Sequence, residues 1–188
     1  MYIISGCNGA GKTTASFTVL PEMLNCREFV NADEIARGLS PFKPESVAIQ
    51  AGKIMLGRIE ELMNTQVDFA IETTLTTKSY SNTIARAKSL GYQVTLLYFW
   101  LNDVELAIER VKTRVAEGGH HIPADVIRRR YVRGMRNLRA FIDLADSWFL
   151  IDNSLNQPTF IADMNINSVI SIFDDAKFNF LNKSNDEF

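Results

Sequence analysis

Gly6-Cys7-Asn8-Gly9-Ala10-Gly11-Lys12-Thr13 is a complete G-x-x-x-x-G-K-[ST] pattern, and what flanks it decides the fold. The apolar run Tyr2-Ile3-Ile4 stands directly before it, and a helix-compatible stretch, Thr14 to Leu20, directly after. Strand, glycine turn and helix start, in that order, aim several backbone N–H groups and a helix dipole at one anion. Glycine lets the backbone approach a phosphate with no Cβ in the way. Lys12 adds a point charge near the outer phosphates, and the Thr13 hydroxyl is suited to ligate Mg2+. Gly6, Asn8, Gly9, Ala10, Gly11, Lys12, Thr13 and Thr14 are therefore the expected binding loop for a nucleoside triphosphate, with ATP and Mg2+ as cofactors.

Outward from this loop the chain alternates strand and helix. Glu28 to Asn31 reads as a second strand ending at Asn31-Ala32-Asp33. Pro44 and Glu45 open a helix whose apolar positions Val47, Ala51, Met55, Ile59 and Leu62 repeat at helical spacing. Val67 to Ile71 is a third strand ending in Glu72, and a helix from about Ser79 stops at Gly91, a typical glycine terminus. Val94 to Leu101, the longest apolar run, reads as a strand buried on both faces. Asn102 with Glu105 three residues later makes a capping-box pattern for a helix ending at Gly118-Gly119. Pro123 starts another helix, carrying Ile127, Tyr131, Leu138 and Phe141, and Trp148 to Ile151 is a fifth strand. Phe160 to Ala162 and Val169 to Phe173 are expected to form a hairpin, and the polar tail from Asn182 to Phe188 is expected to fray. The pattern predicts an α/β fold: a P-loop NTPase with a five-stranded parallel sheet core, a helical lid segment and a C-terminal β-hairpin. One domain over 1–188 is expected, with the lid at about 110–140 and a C-terminal extension at about 155–188.

With 188 residues the chain is long enough for one sizeable core, and 46% hydrophobic with 22% charged residues is an ordinary globular composition. A net charge of −2 argues against a dedicated nucleic-acid binder, which needs a basic surface to neutralise phosphates. Cys7 and Cys26 have no metal-ligand or disulfide spacing. Cys7, inside the loop, reads as passive filler ahead of a reactive thiol. No apolar run approaches the roughly 18 residues needed to cross a bilayer. The phosphate loop begins so early that a cleavable signal would remove it, so the cytoplasm, where ATP is available, is the expected location.

The remaining candidates fall at strand ends, where ligands bind in such sheets. Asp33 is a candidate base that would take the proton of an attacking hydroxyl; the competing reading is a helix cap. Glu72 is a candidate Mg2+ or substrate ligand, against a plain helix-terminus carboxylate. Thr73, Thr74, Thr76 and Thr77 either donate to a sugar or phosphate or form a hydroxyl-rich turn. Arginines crowd the segment between the fourth and fifth strands: Arg110, Arg114, Arg128, Arg129, Arg130, Arg133, Arg136 and Arg139. Such a cluster suits a lid that neutralises a transferring phosphoryl group and excludes water. His120 and His121, beside Pro123, fit a hinge better than a metal site.

Asn8-Gly-Ala-Gly-Lys12, Asn31-Ala-Asp33, Glu72-Thr-Thr-Leu75, Gly118-Gly-His-His-Ile-Pro123 and the run Arg128 to Leu138 together resemble the zeta-toxin family of small-molecule kinases, in its short bacterial branch. The resemblance covers roughly Met1 to Ser154. It implies a P-loop kinase using ATP and Mg2+; the best-known members phosphorylate the 3′-hydroxyl of UDP-N-acetylglucosamine and are blocked by a small antitoxin. It implies further that Lys12 and Thr13 handle phosphates and Mg2+, that Asp33 is the general base, and that Glu72 lies in the substrate cleft; Asn31, Asp33, Glu72, Thr73 and Thr74 are the expected substrate-binding residues. Family lid arginines map onto Arg114, Arg130 and Arg133. Gly-Gly-His-His departs from the more basic segment of the longer toxins. The expected partners are a small-molecule hydroxyl acceptor and an antitoxin protein, with no nucleic acid and no membrane. A nucleotide-dependent switch or ATPase module acting on a protein partner is the second reading.

Overall fold

Strand β1 (Tyr2–Gly6) runs through the middle of the molecule because its side chains are apolar on both sides of the pleat. Ile3 joins Ile71 and Leu96 in one core, and Ile4 joins Ala70 and Leu97 in another. This period-two alternation puts helices on both faces of the sheet. The protein is described from a computed structural model, which covers residues 1–119 and 121–183.

Among these residues the strands form one seven-stranded sheet in the order β2-β3-β1-β4-β5-β6-β7. β2 (Glu28–Val30), β3 (Phe69–Thr73), β1, β4 (Thr95–Trp100) and β5 (Ser147–Asp152) are parallel neighbours, the five-stranded core expected from the alternation. β6 (Thr159–Met164) and β7 (Ile170–Ile172) add the hairpin and extend the sheet, β6 antiparallel to β5 and β7 antiparallel to β6. The register sets Ile4 against Glu72 and Ser5 against Thr73, so the end of β3 stands beside the start of the phosphate loop.

The helices follow from the same patterning. α1 (Lys12–Thr18) gives way at Pro21 to a single wider turn over Val19–Met23. α2 (Ala32–Leu39) is capped by Asn31, whose side chain accepts from the N–H groups of Asp33 at 2.9 Å and Glu34 at 3.4 Å. Asp33 is thereby released from the capping role and sits in the first turn. Pro44–Val47 forms a tight turn ahead of α3 (Ala48–Asn64), which buries Ala51, Met55, Ile59 and Leu62 at the predicted spacing. α4 (Tyr80–Ser89) precedes Gly91, which has φ +88°. For α5 (Val104–Ala116) the cap is Asp103, one residue beyond the Asn102 expected from sequence: its carboxylate accepts from Glu105 N–H at 2.9 Å. α6 (Ala124–Leu144) buries Ile127, Met135, Leu138 and Phe141, so its length belongs to the packed body. α7 (Asp175–Lys183), absent from the sequence reading, covers Trp148 with a stacked Phe178 at 6.3 Å and buries Leu181. Asn182 and Lys183 lie within it; the rest of the expected frayed tail and His120 lie outside the described residues. No helix among the described residues is long and apolar enough to cross a membrane.

Candidate active site

The phosphate loop is shaped by glycines that admit no replacement. Gly9 (φ +79°) and Gly11 (φ +81°) occupy the left-handed region, where a Cβ costs energy. A Cβ on Gly9 would also meet the Ala107 carbonyl oxygen at 2.6 Å, and one on Gly11 the Asn153 amide nitrogen at 2.5 Å. That amide donates to the Ala10 carbonyl at 2.8 Å, tying the loop to the end of β5. Arg110 in turn donates to the carbonyl oxygens of Asn153 (2.8 Å) and Ser154 (3.2 Å). On the other flank Arg130 of α6 donates to Asn8 Oδ1 at 3.1 Å. The loop is thus held from both flanks at the start of α1, where helix N–H groups and the dipole favour an anion.

At its floor Lys12 is 5% exposed, and a buried ammonium needs partners. It donates to the Cys7 carbonyl at 2.9 Å and lies 3.5 Å from Glu72 Oε1. The other carboxylate oxygen of Glu72 accepts from Thr13 Oγ1 at 2.7 Å and Asn31 Nδ2 at 2.9 Å. Lys12 and Thr13 of α1 and Asn31, the cap of α2, therefore meet at the carboxylate of Glu72 in β3. Thr13 Oγ1 and Glu72 are hard oxygen donors side by side, a set that fits Mg2+, which takes one or two protein oxygens with phosphates and water. Among the described residues no three His, Cys, Asp or Glu side chains gather as a metal cluster.

Above this floor opens a cavity of about 700 Å³. Asn8, Gly9, Gly11, Lys12, Thr13 and Thr14 form one wall. Asp33, Glu34 and Arg37 of α2, with Phe17 and Glu72, form the second. The far end of α5 and the turn after it supply Arg110, Thr113, Arg114, Glu117 and Gly119. Arg37 reaches across to the Gly118 carbonyl at 3.4 Å, joining the second and third walls. Asp33 thus shares one open space with Lys12 and Thr13. Gly6 and Ala10 lie buried beneath the loop.

A family model described as Zeta toxin matches residues 1–172. The chain belongs to the zeta toxin family. An uncharacterized protein of Haemophilus influenzae is 33% identical over 127 residues, which are 67% of this chain and 88% of that protein. Among solved structures, the AvrRxo1-ORF1:AvrRxo1-ORF2 complex with sulphate ions matches with a TM-score of 0.76 at 16% identity, over 96% of this chain and 62% of that one. The same complex with ATP gives 0.75 at 17% identity over the same shares. The PezAT toxin-antitoxin system of Streptococcus pneumoniae gives 0.65 at 19% identity, over 98% of this chain and 85% of that one. At these identities the likeness is one of fold. This zeta-family chain spans 62% of the length of the AvrRxo1 chains it matches.

Other predicted residues are placed differently from the loop and the two carboxylates. Arg114 lines the cavity, Arg130 is engaged with Asn8, and Arg133 is exposed and lines no part of it. Thr73 and Thr74 serve their own turn: Thr73 Oγ1 accepts from Leu75 N–H at 3.1 Å, and the Thr74 and Thr76 hydroxyls lie 3.3 Å apart. Leu75, at φ +53°, closes that turn into the core, which is why the hydroxyls are spent locally. Burial pushes the Cys7 thiol up to about 11, against a weaker pull from Lys12, so it is filler in this zeta-family loop. Asn153, Phe17, Glu34 and Arg37 were missed from sequence. Asn153 follows a strand, the same signal that marked Asp33 and Glu72. Glu34 and Arg37 lie on the helix that Asp33 begins.

Proposed function

We propose that this chain is an ATP-dependent kinase that transfers the γ-phosphoryl group to an alcohol of a small metabolite, working in the cytoplasm. One observation carries the reading: Asp33 lines the same cavity as Lys12 and Thr13 of the phosphate loop. Family membership supports it, and so does the ATP complex of a protein with the same fold.

In the proposed reaction the acceptor oxygen attacks the γ-phosphorus while the bond to the β,γ-bridging oxygen breaks and ADP leaves. Asp33 takes the proton released by the hydroxyl. Lys12 faces the outer phosphates, and Arg114 is the lid arginine whose place suits the transferring group. Arg130 acts through Asn8 by holding the loop. When bound, Mg2+ neutralises phosphate charge, and Thr13 and Glu72 are the residues that would hold it. Asn31 keeps Glu72 turned inward and frees Asp33 from capping.

The nucleotide sugar of the best-known relatives is one candidate acceptor. An antitoxin is a second proposed partner, because PezAT is a toxin-antitoxin system. The test is incubation with γ-labelled ATP, Mg2+ and a small-metabolite extract. Label in a new organic phosphate supports a kinase. ATP binding with no labelled product, together with a tightly bound protein, favours the switch reading.

A further inference from the structure

The outer edge of β7 is open: β7 comes last in the sheet, and no strand among the described residues pairs beyond it. Its ladder with β6 sets Asp163 against Ser171 and Ala162 against Ile172. Two flanking bonds fix which backbone groups face inward. Asn165 N–H donates to the Val169 carbonyl at 3.1 Å, and Phe173 N–H to the Ile161 carbonyl at 2.9 Å. Successive residues of a strand turn their N–H and C=O groups to opposite sides. With Val169 and Phe173 turned toward β6, Ser171 is too, and the N–H and C=O groups of Ile170 and Ile172 face the open edge.

Proteins ordinarily protect such an edge with charge, proline or a covering element. From Met164 to Phe173 this chain has no charged residue and no proline. Val169, Ile170, Ile172 and Phe173 are each about half exposed, and so is Phe160, whose ring lies 6.2 Å from that of Phe173. At roughly 150–250 Å² for an aromatic side chain and somewhat less for an aliphatic one, the five present about 400–500 Å² of apolar surface. With the half-exposed Ile166 and the edge backbone, the patch approaches the roughly 600 Å² per partner of the smaller specific interfaces.

We propose that β7 pairs antiparallel with β7 of a second copy of this chain, about a two-fold axis at Ser171, so that the two sheets become one. The strand is complementary to itself in this arrangement. Ile170 of each copy lies opposite Ile172 of the other, and the edge-facing groups of the two pairs exchange four backbone hydrogen bonds. Paired residues share a face, so the four isoleucines gather on one side of the joined sheet. On the other side Val169 of each copy meets Phe173 of the other, an aromatic ring on a β-branched side chain. β7 stands four strands from β1, about 19 Å across the sheet, which keeps the seam away from the phosphate loop.

Sedimentation velocity of the purified chain from about 1 to 100 µM should show the 21.2 kDa monomer passing reversibly into a species of twice that mass. Ile172→Lys, which puts charge at the seam, should weaken association at least about tenfold. Ile172→Pro, which removes an edge-facing N–H and no bond to β6, should do the same. Thermal melts matching the wild type show that neither change unfolds the hairpin. Ser171→Cys brings two thiols together across the axis as a non-hydrogen-bonded pair, with Cα atoms about 4.5 Å apart and within reach of a disulfide. Ile170→Cys sets them on the diagonal, at about 7–8 Å and out of reach. Cys7 and Cys26 are both buried, so mild oxidation should crosslink Ser171→Cys into a covalent dimer at least about tenfold faster than Ile170→Cys. A chain that stays monomeric at 100 µM overturns the inference and leaves the edge to a partner of different sequence. Association unchanged in both Ile172 variants, or equal crosslinking at the two positions, overturns it as well. So does open-ended aggregation, because pairing about a two-fold axis closes at two copies.

Discussion

Glu72 is the residue on which the floor of the site converges, and its neighbours explain how. Lys12 and Thr13 from the start of α1 and Asn31 from just past the end of β2 all turn toward one carboxylate. Glu72→Gln keeps the shape and removes the charge that faces Lys12 and suits a divalent cation. The Mg2+ concentration needed for half-maximal activity should rise 10–100-fold, the usual scale for altering a metal's protein environment. A Mg2+ titration reads this directly, and an unchanged requirement would remove Glu72 from the cation site. At this scale the glycine loop, Asp33 and Glu72 were legible because a local pattern or a strand end marks each. The Arg130–Asn8 and Asn153–Ala10 hydrogen bonds were not, since their partners lie 122 and 143 positions apart and only the folded sheet brings them together.

Among the elements, α7 depends on electrostatics as well as on its stacked Phe178. Lys177 bonds Asp152 at 2.9 Å and Asp174 at 3.0 Å, while Ser154 donates to Asp152 from both its N–H and its hydroxyl. Burial alone would raise the Asp152 carboxyl, but the bonds from Ser154 and Lys177 outweigh it and hold it below its ordinary range. A carboxylate lowered in the folded state stabilises the fold fully above its unfolded pKa. That contribution is lost as pH falls through the folded value, here below about pH 4. Lys177→Ala should cost about 1–2 kcal/mol at neutral pH by leaving a buried carboxylate short of a partner. The difference from wild type should shrink on acidification. Thermal melts at pH 7 and pH 3 measure both, and a difference that grows in acid would contradict the assignment. Sequence could not reveal this helix: its polar turns follow a short hairpin, and only the Trp148 face of β5, which it covers, explains why it docks. The α5 cap shows the same limit on a smaller scale, since Asn102 and Asp103 are both good caps and only backbone geometry chooses between them.

For the whole molecule, the five parallel strands were legible from the βα alternation, and the hairpin from its apolar runs. What alternation could not tell was that the hairpin would join the same sheet. β6 covers the edge of β5 and places Ile161 and Ala162, both fully buried, in the main core. Removing residues 158–188 should therefore expose an unpaired strand edge together with Trp148 and Leu150, costing several kcal/mol and giving an aggregating chain. Soluble yield and a circular-dichroism melt test this; a truncated chain that melts cooperatively at the wild-type temperature would show the extension to be dispensable.

The central claim is that Asp33 is the base in the cavity it shares with the phosphate loop, and Asp33→Asn tests it most directly. ATP affinity and turnover should be measured on the same preparation with γ-labelled ATP and the extract fraction that accepts phosphate. Affinity should stay within about twofold, since Lys12 and the loop are untouched, and turnover should fall about 10²–10⁴-fold, the scale of general base catalysis. Turnover at the wild-type rate with ATP bound normally would contradict the assignment of Asp33 as the base.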